Sequence, residues 1–185
     1  MNEASMDRRR FLRGSGGAVG LATIAVIGGT VTLVAPKGSF ALQAFSAETA
    51  ETLLQMMRTM YPHDALGDQY YAAVVVALNE EADADPAVAT LITSGIDELN
   101  GVFPLPFLEL SEQHRLDALE AVREGAFFQK VAGKTIGTLY NQPRVWQAFG
   151  YEGPSYDQGG YILRGFDDLG WLPDPPPEAS PPMEF

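Results

Sequence analysis

The sequence predicts a mainly α fold: an irregular helical domain ending in a coil-rich, aromatic C-terminal arm. Three observations carry that prediction. Apolar residues recur at three- and four-residue spacing in five stretches between Ser46 and Leu139, side chains suited to capping stand at several of their starts, and beyond Gly150 no period of either 3.6 or 2 survives.

The first stretch runs from Ser46 to Met60, with Ala50, Leu53, Leu54, Met57 and Tyr61 on one face, Ser46 as cap and Glu48 in the first turn. The second begins near Asp68, carries Tyr71, Val74, Val75 and Leu78, and fades in the acidic cluster Glu80, Glu81, Asp83 and Asp85, read as a solvated turn. Asp85-Pro86 then restarts the chain, because Asp caps and Pro suits the first helical position. Val88, Leu91, Ile92, Ile96 and Leu99 form that stripe, which Asn100-Gly101 stops. Phe103-Pro104-Leu105-Pro106 suits neither helix nor central strand, since each Pro lacks an N–H and restricts its predecessor. Ser111 caps a helix with Leu116, Leu119 and Val122. After Gly125 another holds Phe127, Phe128, Val131, Ile136 and Leu139, until Asn141-Gln142-Pro143 breaks it. A short turn of helix with Val145, Trp146 and Phe149 follows. The boundaries expected are a signal over 1–41, a helical domain over 42–172, and a Pro-rich acidic tail over 173–185 that is expected to be mobile.

The 185 residues carry a net charge of -12, and Cys is absent. Such a surface repels phosphate backbones, so nucleic acid is not an expected partner. Without Cys there is no disulfide, no thiolate metal site and no covalent haem attachment through Cys-x-x-Cys-His.

Arg8-Arg9-Arg10-Phe11-Leu12-Arg13 precedes a Gly/Ala/Val-rich run from Gly14 to Val34 without a charged residue. A basic head before a moderately apolar run is the order of an export signal. Arg8, Arg9, Phe11 and Leu12 resemble the twin-arginine type, which implies the twin-arginine translocase as a partner and a periplasmic location. Small residues at Ser39 and Ala41 suit cleavage after Ala41. The run is also long enough to span a membrane, but its repeated glycines weaken a helix meant to stay in lipid.

Catalytic motifs are absent. Neither His63 nor His114 has Glu three residues before it, and there is no His-Glu-x-x-His and no Gly-x-Ser-x-Gly. The acidic cluster lacks the spacing of a calcium loop. His63-Asp64 is the one adjacent pair suited to acid–base work; its expected role is a helix-terminating loop whose polar groups bond the backbone. The alternative is a stand-alone periplasmic enzyme using His63 and Asp64 with a bound metal or flavin. What stands out is aromatic: Tyr140, Trp146, Phe149, Tyr151, Tyr156, Tyr161, Phe166 and Trp171 crowd one stretch without regular period. They need a surface to bury against, either this chain's own core or a partner.

These residues resemble the gluconate 2-dehydrogenase subunit 3 family, the small (gamma) subunits of bacterial FAD-dependent glucose and other sugar or polyol dehydrogenases. The likeness rests on Tyr61-Pro62-His63-Asp64 and Asp68-Gln69-Tyr70-Tyr71. It rests above all on Leu139-Tyr140-Asn141 leading through Trp146 to Gly150-Tyr151-Glu152-Gly153-Pro154 and Gly159-Gly160-Tyr161. The resemblance implies a non-catalytic subunit that holds no cofactor. It would act as folding and export escort for a glucose-methanol-choline-type flavoprotein carrying FAD, with a multihaem cytochrome c subunit, bearing haem c, as electron acceptor and membrane anchor. The residues expected to bind the partner are Tyr61, Pro62, His63, Asp64, Tyr140, Trp146, Tyr151, Gly153, Pro154, Gly160, Tyr161 and Trp171. Without Cys, any such complex is noncovalent.

Overall fold

A computed structural model describes residues 23–27, 30–35 and 38–160. Its mainly helical architecture is the one the sequence predicts. Among the described residues there are six α-helices: α1 (Ala47–Met60), α2 (Asp68–Ala84), α3 (Pro86–Gly101), α4 (Glu112–Val122), α5 (Ala126–Leu139) and α6 (Pro143–Phe149). A three-stranded antiparallel meander precedes them, in the order β1 (Thr23–Ile27), β2 (Thr30–Ala35) and β3 (Gly38–Leu42). The chain divides into two units at Gly150 and Tyr151.

The helix starts follow from the caps. Ser46 Oγ accepts the Thr49 N–H at 3.0 Å, Asp85 Oδ1 the Ala87 N–H at 2.9 Å, and Ser111 Oγ the His114 N–H at 3.3 Å. Each satisfies one of the donors a helix start leaves unpaired, which stabilises it by about 1 kcal/mol. Asn100 Oδ1 accepts the Phe107 N–H at 2.9 Å, and Arg115 donates to the Phe107 and Leu108 carbonyls, so the Pro-rich connection folds back with Phe107 fully buried.

Helix α2 packs on α1, α3 and α5, and its buried face is Tyr71, Ala72, Val74, Val75, Leu78, Asn79 and Ala82. Two stripes differ from the expected ones. Leu116 and Ile136 are exposed, because α4 faces inward through Ala118, Leu119 and Val122, and α5 through Phe127, Val131, Thr135 and Leu139. A buried threonine is tolerated in α5 since its hydroxyl donates to the Val131 carbonyl at 2.7 Å. The acidic cluster is not a solvated turn either. Helix α2 runs on to Ala84, Asp85 caps α3, and the Glu81 carboxylate holds Lys130 at 2.5 Å and Lys134 at 2.6 Å, tying α2 to α5.

The largest difference lies at the other end. From Thr23 the segment expected as the rear of an export signal is strand, and Leu33 and Leu42 join the same buried core as α1 and α2. Its pairing puts Ile24 opposite Leu33, Leu33 opposite Phe40, and Val31 opposite both Val26 and Leu42. Side chains opposite one another share a face, and residues two apart along a strand do too. One face therefore collects Ile24, Val26, Val31, Leu33, Phe40 and Leu42, and the other Thr23, Ala25, Thr30, Thr32 and Ala41 with their neighbours. Beyond the last strand, Asn79 Oδ1 accepts the Ala44 N–H at 3.1 Å and fixes the chain on α2 before α1 begins. Arg8, Arg9, Phe11 and Leu12 lie outside the described residues, as do Tyr161, Trp171 and the Pro-rich tail.

Two outcomes test this packing. A Cβ at Gly95 of α3 would stand 2.0 Å from Cγ of the buried Phe127. Helix propensity favours Ala over Gly by about 1 kcal/mol, but the ring or the helix crossing must move, at a greater cost. Gly95→Ala should therefore lose about 1–2 kcal/mol net, read from urea unfolding; an unchanged midpoint contradicts the close approach.

The second outcome concerns pH. Hydrogen bonds from Lys130 and then Lys134 hold the Glu81 carboxyl below its ordinary range. A depressed folded pKa contributes stability that is complete above the unfolded value and lost as pH falls through the folded one. The stability difference between wild type and Glu81→Gln should thus be full at neutral pH and shrink as pH falls below the ordinary glutamate range. A difference constant with pH would show that the clamp is not the cause.

Candidate functional site

Three of the segments quoted for the resemblance, 61–64, 68–71 and 139–146, meet where α1 ends, α2 begins and α5 turns into α6. Tyr61 ends α1, its N–H bonded to the Met57 carbonyl. Three residues earlier, Arg58 reaches across the following loop. Its guanidinium donates to the His63 carbonyl at 3.3 Å and the Leu66 carbonyl at 2.8 Å, pairs with Asp68 at 3.3 Å, and lies 4.9 Å from the Tyr71 ring centre. Tyr71 is fully buried, and its hydroxyl donates to the Tyr61 carbonyl at 2.6 Å.

From the other side comes Tyr140, which follows the last residue of α5. A 2.6 Å hydrogen bond joins its hydroxyl to His63 Nε2, and its ring meets Tyr61 edge-on at 6.0 Å between centres. Phe149, the last residue of α6, stands edge-on to the His63 ring at 4.9 Å. Edge-to-face contacts of this kind set the positive rim of one ring against the negative face of another. Trp146 Nε1–H donates to the Tyr140 carbonyl at 2.5 Å, while Gln142 donates to the carbonyls of Tyr70 and Thr138. The α5–α6 corner is thereby bound to the start of α2. Burial pushes the phenols of Tyr61 and Tyr140 above their ordinary pKa, and for Tyr140 the neighbouring Tyr71 and Tyr61 add to the rise. Both keep their protons at neutral pH.

His63 is thus bonded to Tyr140, and its neighbour Asp64 is exposed, as is Pro62. The adjacent pair singled out for acid–base work is not one hydrogen-bonded unit, because the imidazole turns inward to the phenol. Val145 of α6 is fully buried and Trp146 half-buried, whereas Phe149 remains 51% exposed. Beside the cluster, an open groove of about 400 Å³ lies between the end of α1 and the α4–α5 corner. Met60, Tyr61, Leu119 and Phe128 line it together with Glu120 and Arg123, so the Tyr61 ring belongs to both features.

Tyr151, Gly153, Pro154 and Gly160 belong to the second unit and are placed within it alone. Gly153 and Gly160 have φ of 101° and 78°, values that side chains resist, which gives the glycines of that string a backbone reason. They flank a 3₁₀ turn, Ser155–Gln158, closed by a 2.8 Å bond from the Gly160 N–H to the Ser155 carbonyl. Gly153 is buried, Pro154 and Tyr151 are exposed, and Tyr156 is 88% exposed. Two residues organise the first unit's cluster beyond what the sequence suggested: Arg58, and Gln142, which figured there only as part of a helix break. Their bonds go mainly to backbone carbonyls, which leave no trace in sequence.

Compared with known proteins, the chain matches no family model, no curated protein and no solved structure. Among the described residues no three His, Asp or Glu side chains stand together as a metal site.

The His63–Tyr140 bond should be measurable as a coupling. In a double-mutant cycle on folding stability with His63→Ala and Tyr140→Phe, the interaction energy should be about 0.5–1.5 kcal/mol. Additive single losses would mean that the bond contributes nothing to the fold.

Proposed function

We propose that this chain is the non-catalytic small subunit of a periplasmic, membrane-associated, FAD-dependent sugar or polyol dehydrogenase, of the gluconate 2-dehydrogenase subunit 3 type. It serves the catalytic flavoprotein as folding and twin-arginine export escort. The partner carries the FAD, and a multihaem cytochrome c subunit takes the electrons. The observation that carries this reading is convergence: Tyr61, His63, Tyr71, Tyr140 and Trp146, quoted for the resemblance from distant parts of the chain, meet around one aromatic cluster. Its outermost ring, Phe149, is half exposed. A satisfied, edge-to-face cluster with one ring presented to solvent is a rigid anchor, the kind of feature on which interface energy concentrates. The resemblance of Arg8, Arg9, Phe11 and Leu12 to a twin-arginine signal also supports the reading. That route carries folded proteins, and a cofactor borne by a bound partner explains its use.

The test is co-expression with a signal-less flavoprotein dehydrogenase of the glucose-methanol-choline type, sought in a reading frame adjacent to this chain's. Changing Arg8 and Arg9 together to Lys should keep both chains, and the dye-linked sugar oxidation, in the cytoplasm. Phe149→Ala should weaken association by about 2 kcal/mol or more while the isolated chain melts nearly as before. Normal periplasmic activity in the double-Lys chain would sink the escort role; full retention of the partner by Phe149→Ala would remove the cluster as its anchor.

A further inference from the structure

We propose that the β1–β2–β3 meander is a permanent part of the functional protein: the chain is neither cut after Ala41 nor held in a membrane through the apolar run from Gly14 to Val34. This goes beyond the escort reading and does not rest on it.

The first argument is the pattern. An export signal needs only an apolar run, with no reason to alternate. Here, six of the eight large apolar residues of the strands, at positions 24, 26, 31, 33, 40 and 42, fall on one face, and Thr, Ala and Ser hold six of the eight positions of the other, which also takes Ile27 and Val34. The sequence between the described strands reads Gly28-Gly29 and Pro36-Lys37, and Gly-Gly is among the pairs that in sequence favour a tight hairpin. Pattern and turn chemistry therefore specify the same meander.

The second argument is burial. Leu33 is 1% and Leu42 2% exposed, in one core with Leu53, Met56 and Leu78 of α1 and α2. Ile24 and Val31 pack against that core. A cut after Ala41 would fall inside β3, where Ala41 pairs with Thr32. It would remove β1, β2 and with them the buried Leu33 and the core-packed Ile24 and Val31, and expose apolar area that these side chains now keep from water.

The third argument is length. Between Arg13 and Thr23 lie nine residues, Gly14 to Ala22. A helix crossing the hydrocarbon layer needs about 20 residues, and a span begun at Gly14 would consume β1 and Leu33 of β2. Folded meander and membrane span are mutually exclusive uses of the same residues, and the buried leucines favour the first.

Two measurements on the full chain decide the matter. Exported chain is isolated by fractionation, washed in alkaline carbonate, and its intact mass measured. The expected N-terminus lies at or before Thr23, in material that carbonate releases. An N-terminus at Leu42, or chain that stays in the carbonate-washed membrane, overturns the proposal. In parallel, the full chain kept in the cytoplasm is melted with Leu33→Ala, and with Thr30→Ala on the opposite face as control. Leu33→Ala should lower the melting temperature by several degrees or prevent cooperative melting, and Thr30→Ala should not. Equal melting of wild type and Leu33→Ala overturns the proposal whether or not export occurs, whereas absence of export with a Leu33→Ala loss counts against the escort reading alone.

Discussion

The hydroxyl of Tyr71 sets the geometry on which the site depends. A tyrosine fully buried in the middle of a helical core must find an acceptor, since an unpaired buried hydroxyl costs more than its ring contributes at the margin. The acceptor is the Tyr61 carbonyl, at the residue where α1 ends. Pro62 ends the helix there, since it has no N–H to donate and disfavours helix in the residue before it, and the Tyr71 bond ties that end to α2. Arg58 then closes the loop from the other side, with two carbonyls, a carboxylate and the Tyr71 ring as its partners. His63 is placed by these contacts before Tyr140 reaches it.

Much of the helical frame was legible because its signals are local. Ser46, Asp85-Pro86 and Ser111 start helices by bonding their own first turns, and the breaks at Asn141-Gln142-Pro143 and Gly150 act just as locally. Leu116 and Ile136 were misplaced because adjacent apolar residues each extend a helical stripe, and only packing chooses between Leu116 and Leu119, or between Ile136 and Thr135. The meander was hidden by a stronger competing pattern. A basic head followed by a glycine-diluted apolar run has the composition of a leader, and strands of five or six residues give period 2 little length in which to show itself. The residues of the aromatic cluster were legible as types, but their partners were not. His63 and Tyr140 are 77 positions apart, and nothing local in either segment names the other.

The aromatics divide by residue into those that close this protein's own core and those that stand exposed. Val145 and the indole N–H of Trp146 work inward, one as buried volume and the other as the donor that ends α5's last turn on the Tyr140 carbonyl. Phe149 lies one helical turn further on, where α6 ends at Gly150 with φ of 72°. The left-handed residue ends the helix there, with the ring against His63 and Tyr140 and half of it exposed.

This division explains why the cluster is built from Tyr, His and Trp rather than from aliphatic side chains. A half-buried leucine contributes only area, and its rotamer is held by whatever covers it. Three polar handles here are tied to a fixed acceptor or partner: Tyr71 to a carbonyl, Tyr140 to His63, Trp146 to a carbonyl. The rings then keep their edge-to-face geometry in the isolated chain, with little rotamer entropy left to lose. A surface ordered in advance binds with a smaller ordering cost than one that must be arranged on contact. In the second unit the order comes instead from the backbone, through glycines at positive φ around one 3₁₀ turn, and its exposed Tyr156 is carried by that turn. The two units therefore present aromatic rings by different physical means, side-chain hydrogen bonding in one and backbone conformation in the other.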